Sequence, residues 1–275
     1  MPMTRRFRLY IFLAVCLFFG CSGKDKSQKE NAGTSGNQSF THIYQNRGPY
    51  KGWERYRFLD IVLIHPPDHP QQDHFEDIAK IFSALVKRTS TFLKITPPDS
   101  IIIYFYTGVG HGMTVTGRDT PFSDGTVIHF WFPSFYGPPI VKHLLPLWYQ
   151  GEPEHEFLKH GIIALLDGSG QNYHLETLKF IDSGTYIPLR RLSVDTTINV
   201  DFERYQSAEA ASFVDYIVYA YDIGFLKILY ASKGSFSGDV ESTFHMPVAS
   251  LERQWQVFLK IIVAPKKDSL KKLTK

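Results

Sequence analysis

Titratable side chains crowd the segment from Pro139 to Gly170, PIVKHLLPLWYQGEPEHEFLKHGIIALLDGSG. A neutral imidazole serves as metal ligand or general base, and His143 and His160 lie where the apolar spacing reads as helix. A catalytic zinc normally takes three protein ligands, so two histidines are one donor short. His129 and Glu156 are the candidates for the third, and Tyr205 joins them as a candidate lining residue of the same cleft. His155 and His160 do not form a pair of their own. On a helix, residues five apart lie roughly 140° around the axis, whereas residues four apart lie roughly 40° apart. The reading preferred to zinc binding makes His143 and His160 half-buried structural histidines bonded to backbone or carboxylate.

Other constellations read as structure. Glu152, Glu154 and Glu156 suit a solvated helix start, where negative charge is favoured. His65, His69 and His74 flank a proline-rich turn and are expected at the surface. Gly108 to Gly112 is expected to be a turn into a weak strand near 113–116, without the helix that a phosphate cradle needs. Phe130, Trp131, Phe132, Phe135 and Tyr136 suit either a peptide groove or core packing.

The elements that must position these residues change character along the chain. FLDIVLIH at 58–65, SIIIYFYT at 100–107 and TVIHFWF at 126–132 are β-branched and aromatic, as strands are. Between the first two, Asp73 and Glu76 form a capping-box signal. It precedes apolar residues at helical spacing from Phe75 to Leu93. After Pro139 the periodicity is helical: 140–149, 154–166, 173–181, 207–221, 225–231 and 248–262. A mixed sheet with one long helix, followed by an α-helical half, is an α+β domain.

The N-terminus is a targeting segment. Arg5, Arg6 and Arg8 precede an apolar run from Leu9 to Phe19, too short for the roughly 20 residues of a membrane span. LFFGC at 17–21 resembles a relaxed bacterial lipobox, with Gly20 before Cys21. The resemblance implies cleavage after residue 20, acylation of Cys21 and attachment to membrane lipid. Residues 21–50 then form a polar stalk, residues 51–265 the domain, and residues 266–275 a basic, solvated tail. The net charge of +3 equals the three leader arginines, so the remainder is formally neutral. That balance argues against nucleic acid as a partner. With Cys16 in the leader and Cys21 lipidated, no thiol is left for a disulfide or a metal.

The site segment resembles the gluzincin, or peptidase-MA-like, zinc peptidases. In these, H-E-x-x-H on one helix supplies two ligands and a base, and the next helix supplies a glutamate ligand. Pro139-Ile140-Val141-Lys142-His143 falls at the first motif and Phe157-Leu158-Lys159-His160-Gly161 at the second. SAEAASFV at 207–214 is similar to the small-residue helix behind such sites. The resemblance spans roughly residues 57–233 and implies a gluzincin-like fold. In that register Pro139 replaces the first ligand, Ile140 replaces the base, and His143 and His160 are what remains. Losing a general base alone costs a factor of about 10² to 10⁴. The resemblance therefore implies a non-catalytic module that binds protein or peptide, by strand addition near 126–132, anchored in a bacterial envelope at the outer membrane or cell surface. A cofactor is not expected in that reading. The alternatives are a zinc hydrolase with a site rearranged onto His143 and His160, and a structural protein whose cleft is filled by side chains.

Overall fold

The computed structural model describes residues 48–193 and 200–273, with side chains omitted for 200–206 and 263–273. A five-stranded sheet comes first, built from β1 (Glu54–Phe58), β2 (Ile61–His65), β3 (Ile101–Phe105), β4 (Phe122–Ser123) and β5 (Ile128–Phe130). The strand order is β1-β2-β3-β5-β4. β2, β3 and β5 are parallel, and β1 and β4 close the two edges antiparallel. The sheet is thus mixed and the fold α+β, as the element order predicts.

Strand alternation divides the side chains between two layers. Ile61, Leu63, Ile101, Ile103, Phe105, Ile128 and Phe130 meet α1 (Phe75–Leu93) through Ile78, Phe82 and Val86. On the opposite face Val62, Ile64, Tyr104, Tyr106 and Trp131 pack with Trp53. All five residues of β2 are buried for that reason.

Four local expectations are corrected. Residues 58–65 are not one strand. The chain reverses at Leu59 and Asp60, and β1 pairs back on β2. Leu59 takes φ 49° there, a left-handed conformation that a leucine does not advertise. Residues 109–116 form a helix, α2 (Val109–Thr116), rather than a turn and strand. Thr114 and Thr116 donate their hydroxyls to the carbonyls of Gly110 and Gly112, each at 2.7 Å. A Cβ on Gly112 would lie 2.6 Å from the Trp131 ring, so close packing on an aromatic overrides local β propensity. Asp73 does not cap α1, which is entered through a 3-10 turn at Gln72–His74. β5 is not an edge, because the two-residue β4 covers it.

The helical half comprises α3 (Gly137–Trp148), α4 (Glu156–Leu165), α5 (Tyr173–Ser183), α6 (Leu189–Leu192), α7 (Val200–Ala220), α8 (Ile223–Ala231), α9 (Phe236–Phe244) and α10 (Val248–Leu273). Pro138 and Pro139 open α3, where their missing amides cost nothing. Ile140 points into the core under the sheet. α4 and α7 touch backbone to backbone: a Cβ on Gly161 would sit 2.6 Å from the Ala210 carbonyl oxygen. The small-residue run of α7 serves that approach. The basic tail is not a frayed end, since α10 stays helical to Leu273.

Candidate functional site

Beneath β4, where α3 and α4 diverge, lies an open cavity of about 890 Å³. Ser123 of β4 closes one end. α3 contributes Pro138, Lys142, Leu145 and Pro146, with Tyr149 just beyond its end, α4 contributes Lys159, His160 and Ile163, and α5 contributes Tyr173, Glu176 and Phe180. Positions 138, 142, 145 and 146 form one stripe of an α-helix. The surface that α3 turns to the cavity therefore includes Lys142 and leaves out His143.

His143 faces β4 instead. It is buried, and its Nδ1 lies 2.9 Å from Ser123 Oγ. Burial holds its imidazole below the usual histidine range, against the opposing pull of Asp124. His160, by contrast, is exposed on the cavity wall. The other cleft candidates fall elsewhere. His129 lies on the far face of the sheet, its Nδ1 2.7 Å from the Tyr106 hydroxyl and its Nε2 3.6 Å from Asp124. It is sandwiched by Phe122 and Tyr104 at ring separations of 4.5 and 5.5 Å. Burial also lowers its pKa, although Asp124 pulls the other way. Glu156 is solvent-exposed in the first turn of α4 and does not line the cavity. The Tyr205 side chain is outside the described residues, as is Cys21.

These placements do not fit a catalytic zinc. Among the described residues no three His, Cys, Asp or Glu side chains are grouped to hold a metal ion. The two histidines that the spacing brings onto neighbouring helices turn to different surroundings.

The charges around the cavity are unevenly satisfied. Glu152 pairs with Lys159, and Glu176 pairs with Lys179 at 2.8 Å. Asp167 accepts from the Tyr173 hydroxyl at 2.6 Å and from the Ser169 amide at 2.7 Å. Lys142 has no hydrogen-bond or ion-pair partner among the described residues. Lys142 as a residue remains solvent-exposed, and its ammonium is pushed below the ordinary lysine range by partial desolvation first, then by Lys159 and Arg118. Arg118 lies over the Phe122 ring at 4.1 Å, beside β4.

Of the three histidines expected at the surface, His74 is exposed and two are in fact structural. His65 and His69 are buried, with His69 stacked on Phe105 at 4.4 Å and accepting from the Gln71 amide at 3.1 Å. Nothing in a proline-rich turn signals that it folds inward over an aromatic layer. His155 is buried against Asp239 at 2.8 Å, tying α4 to α9. The exposed carboxylates Glu152, Glu154 and Glu156 do precede or open α4, as expected.

A second constellation has the composition of a serine-hydrolase triad. His174 places Nδ1 2.8 Å from Ser212 Oγ and Nε2 2.8 Å from Asp215. Its order is inverted for catalysis. Ser212 is wholly buried and already accepts from Trp255 Nε1 at 3.1 Å, while Asp215 faces solvent. A nucleophile must reach its substrate, so this network serves to join α5, α7 and α10.

No family model matches the chain, and no characterised protein or solved structure is significantly similar to it.

Proposed function

We propose that this chain is a lipid-anchored, non-catalytic relative of the gluzincin peptidases that binds peptide in the cavity beneath β4. The observation that carries the reading is the pairing of an open cavity with a strand edge above it. β4 ends the sheet order, and its Ser123 is part of the cavity rim. An extended peptide can add to such an edge through backbone hydrogen bonds while its side chains occupy the pocket below. Aromatic walls at Tyr149, Tyr173 and Phe180 suit apolar side chains of a bound segment.

The cavity-facing stripe shifts the family register by one residue. Pro138 and Lys142, rather than Pro139 and His143, stand where the ligand histidines of a gluzincin helix would face the cleft. The positions hold Pro139, Ile140 and His143 in one register and Pro138, Pro139 and Lys142 in the other, with no carboxylate in either to activate water. The strand addition inferred near 126–132 belongs on β4, because β5 is interior. An open cavity with charged and aromatic walls also speaks against a cleft filled by side chains. Lipidation of Cys21, removal of the leader and an envelope location complete the proposal.

Purified protein incubated with casein and with a peptide library is expected to yield no cleavage, while retaining labelled peptides in a gel-filtration assay. Cleavage that a chelator abolishes would overturn the non-catalytic reading.

A further inference from the structure

We infer that the cavity selects peptides bearing a carboxylate, which docks against the Lys142 ammonium. The inference rests on the peptide-binding reading above and concerns its chemistry. Each carboxylate on the cavity wall already has a partner: Glu152 has Lys159, Glu176 has Lys179, and Asp167 has the Tyr173 hydroxyl. His160 shares the same wall. Lys142 alone among the lining ions has no described counter-charge, and it sits on the stripe that α3 turns to the cavity.

A second cation reinforces the site. Arg118, at the β4 side, is close enough to act electrostatically on Lys142 and forms no ion pair among the described residues. Lys159 on the cavity wall and Arg118 outside its lining both repel the Lys142 ammonium, and of the three cations Lys159 has an ion-pair partner, Glu152. An incoming carboxylate would relieve their mutual repulsion and favour the charged form of Lys142. Charge-assisted hydrogen bonds of this kind are the strong ones. The carboxylate can come from an aspartate or glutamate side chain or from the peptide's own C-terminus.

Fluorescent nonapeptide pools separate these cases, titrated against the full chain in detergent. One pool carries a single Asp or Glu and an amidated C-terminus. A second carries Asn or Gln and a free C-terminus, and a third carries Asn or Gln and an amide. One of the first two pools is expected to bind about tenfold more tightly than the third, and which one does so identifies the source. Lys142→Met keeps the apolar stem and should abolish that difference, while Lys142→Arg should retain it. Equal binding of all three pools, or a difference that survives Lys142→Met, would overturn the inference and leave the peptide-binding reading standing. Binding of no pool would sink both. Thermal melting of each variant, compared with the native chain, ensures that lost selectivity is not lost folding; a destabilised Lys142→Met leaves the Lys142→Arg comparison and the loss of the difference at high salt to decide.

Discussion

Glu209 shows what one buried carboxyl does to a helical core. It is fully buried on α7, and its two oxygens lie 3.1 and 3.2 Å from the Ile187 amide. Burial pushes its pKa up to about 8, the Ile187 amide pulls it down, and neighbouring Glu252 adds to the rise. A carboxyl raised in the folded state binds more protons there than when unfolded. Its contribution is complete below the ordinary value of 4.5 and is lost as pH climbs to about 8. His129 and His143 act oppositely. Their pKa values are lowered from 6.5, so their contribution is complete above 6.5 and is lost as pH falls. Between about pH 6.5 and 8 Glu209 therefore acts without them. Wild-type thermal stability should decline across that interval, and Glu209→Gln should flatten the decline. A slope unchanged in Glu209→Gln would show that another group titrates there. The contrast between Lys142 and His143 is also a residue-scale matter. The eye for motifs goes to histidine, but one step along a helix is a rotation of roughly 100°. That step is the difference between a cavity wall and the underside of a strand.

At the scale of elements, the contact between α4 and α7 controls the helical half. Gly161 is the point of closest approach, with Ala210 backbone and a Val214 methyl within 3 Å of any added Cβ. Gly161→Ala gains up to about 1 kcal/mol of helix propensity. Overpacking against a backbone carbonyl costs about 1–3 kcal/mol, and unlike a side chain the carbonyl cannot rotate away. The variant should be net destabilised, with a lower denaturant midpoint; an unchanged midpoint would mean that α4 slides freely on α7. Long apolar periodicities were legible at this scale. α1, α3, α4, α5 and α8 appear within a few residues of where the spacing puts them. What escaped were the short elements. β4 is two residues of Phe and Ser, α6 is four residues, and α9 carries only three buried positions, Phe236, Val240 and Phe244. Such segments hold too few residues for a period to show, and their conformation comes from what they dock against.

Across the whole molecule, the proposal joins an anchor to a binding domain. Expressed in a bacterium, the full chain should fractionate with membranes, and its mature N-terminus should be an acylated Cys21. Cys21→Ser should retain the leader and show a larger mass by intact-protein mass spectrometry. A mature native N-terminus at any other residue would remove the lipoprotein part of the proposal without touching the domain. The formal neutrality of the chain beyond the leader is compatible with a domain that recognises its ligand through local charge at Lys142 rather than through a broad field.

The sequence by itself determined the class of the fold. Short β-branched and aromatic runs followed by period-3.6 runs leave a sheet-then-helices domain as the way to bury both. The tertiary structure decided everything that depends on a face or an edge. It set β4 outside β5, folded His65 and His69 inward, turned His143 away from His160 and left Lys142 in the cavity. The reason is geometric. Spacing along a chain specifies which residues share a stripe, but the direction of that stripe depends on contacts between residues distant in sequence, such as Gly161 on Ala210 and Gly112 on Trp131.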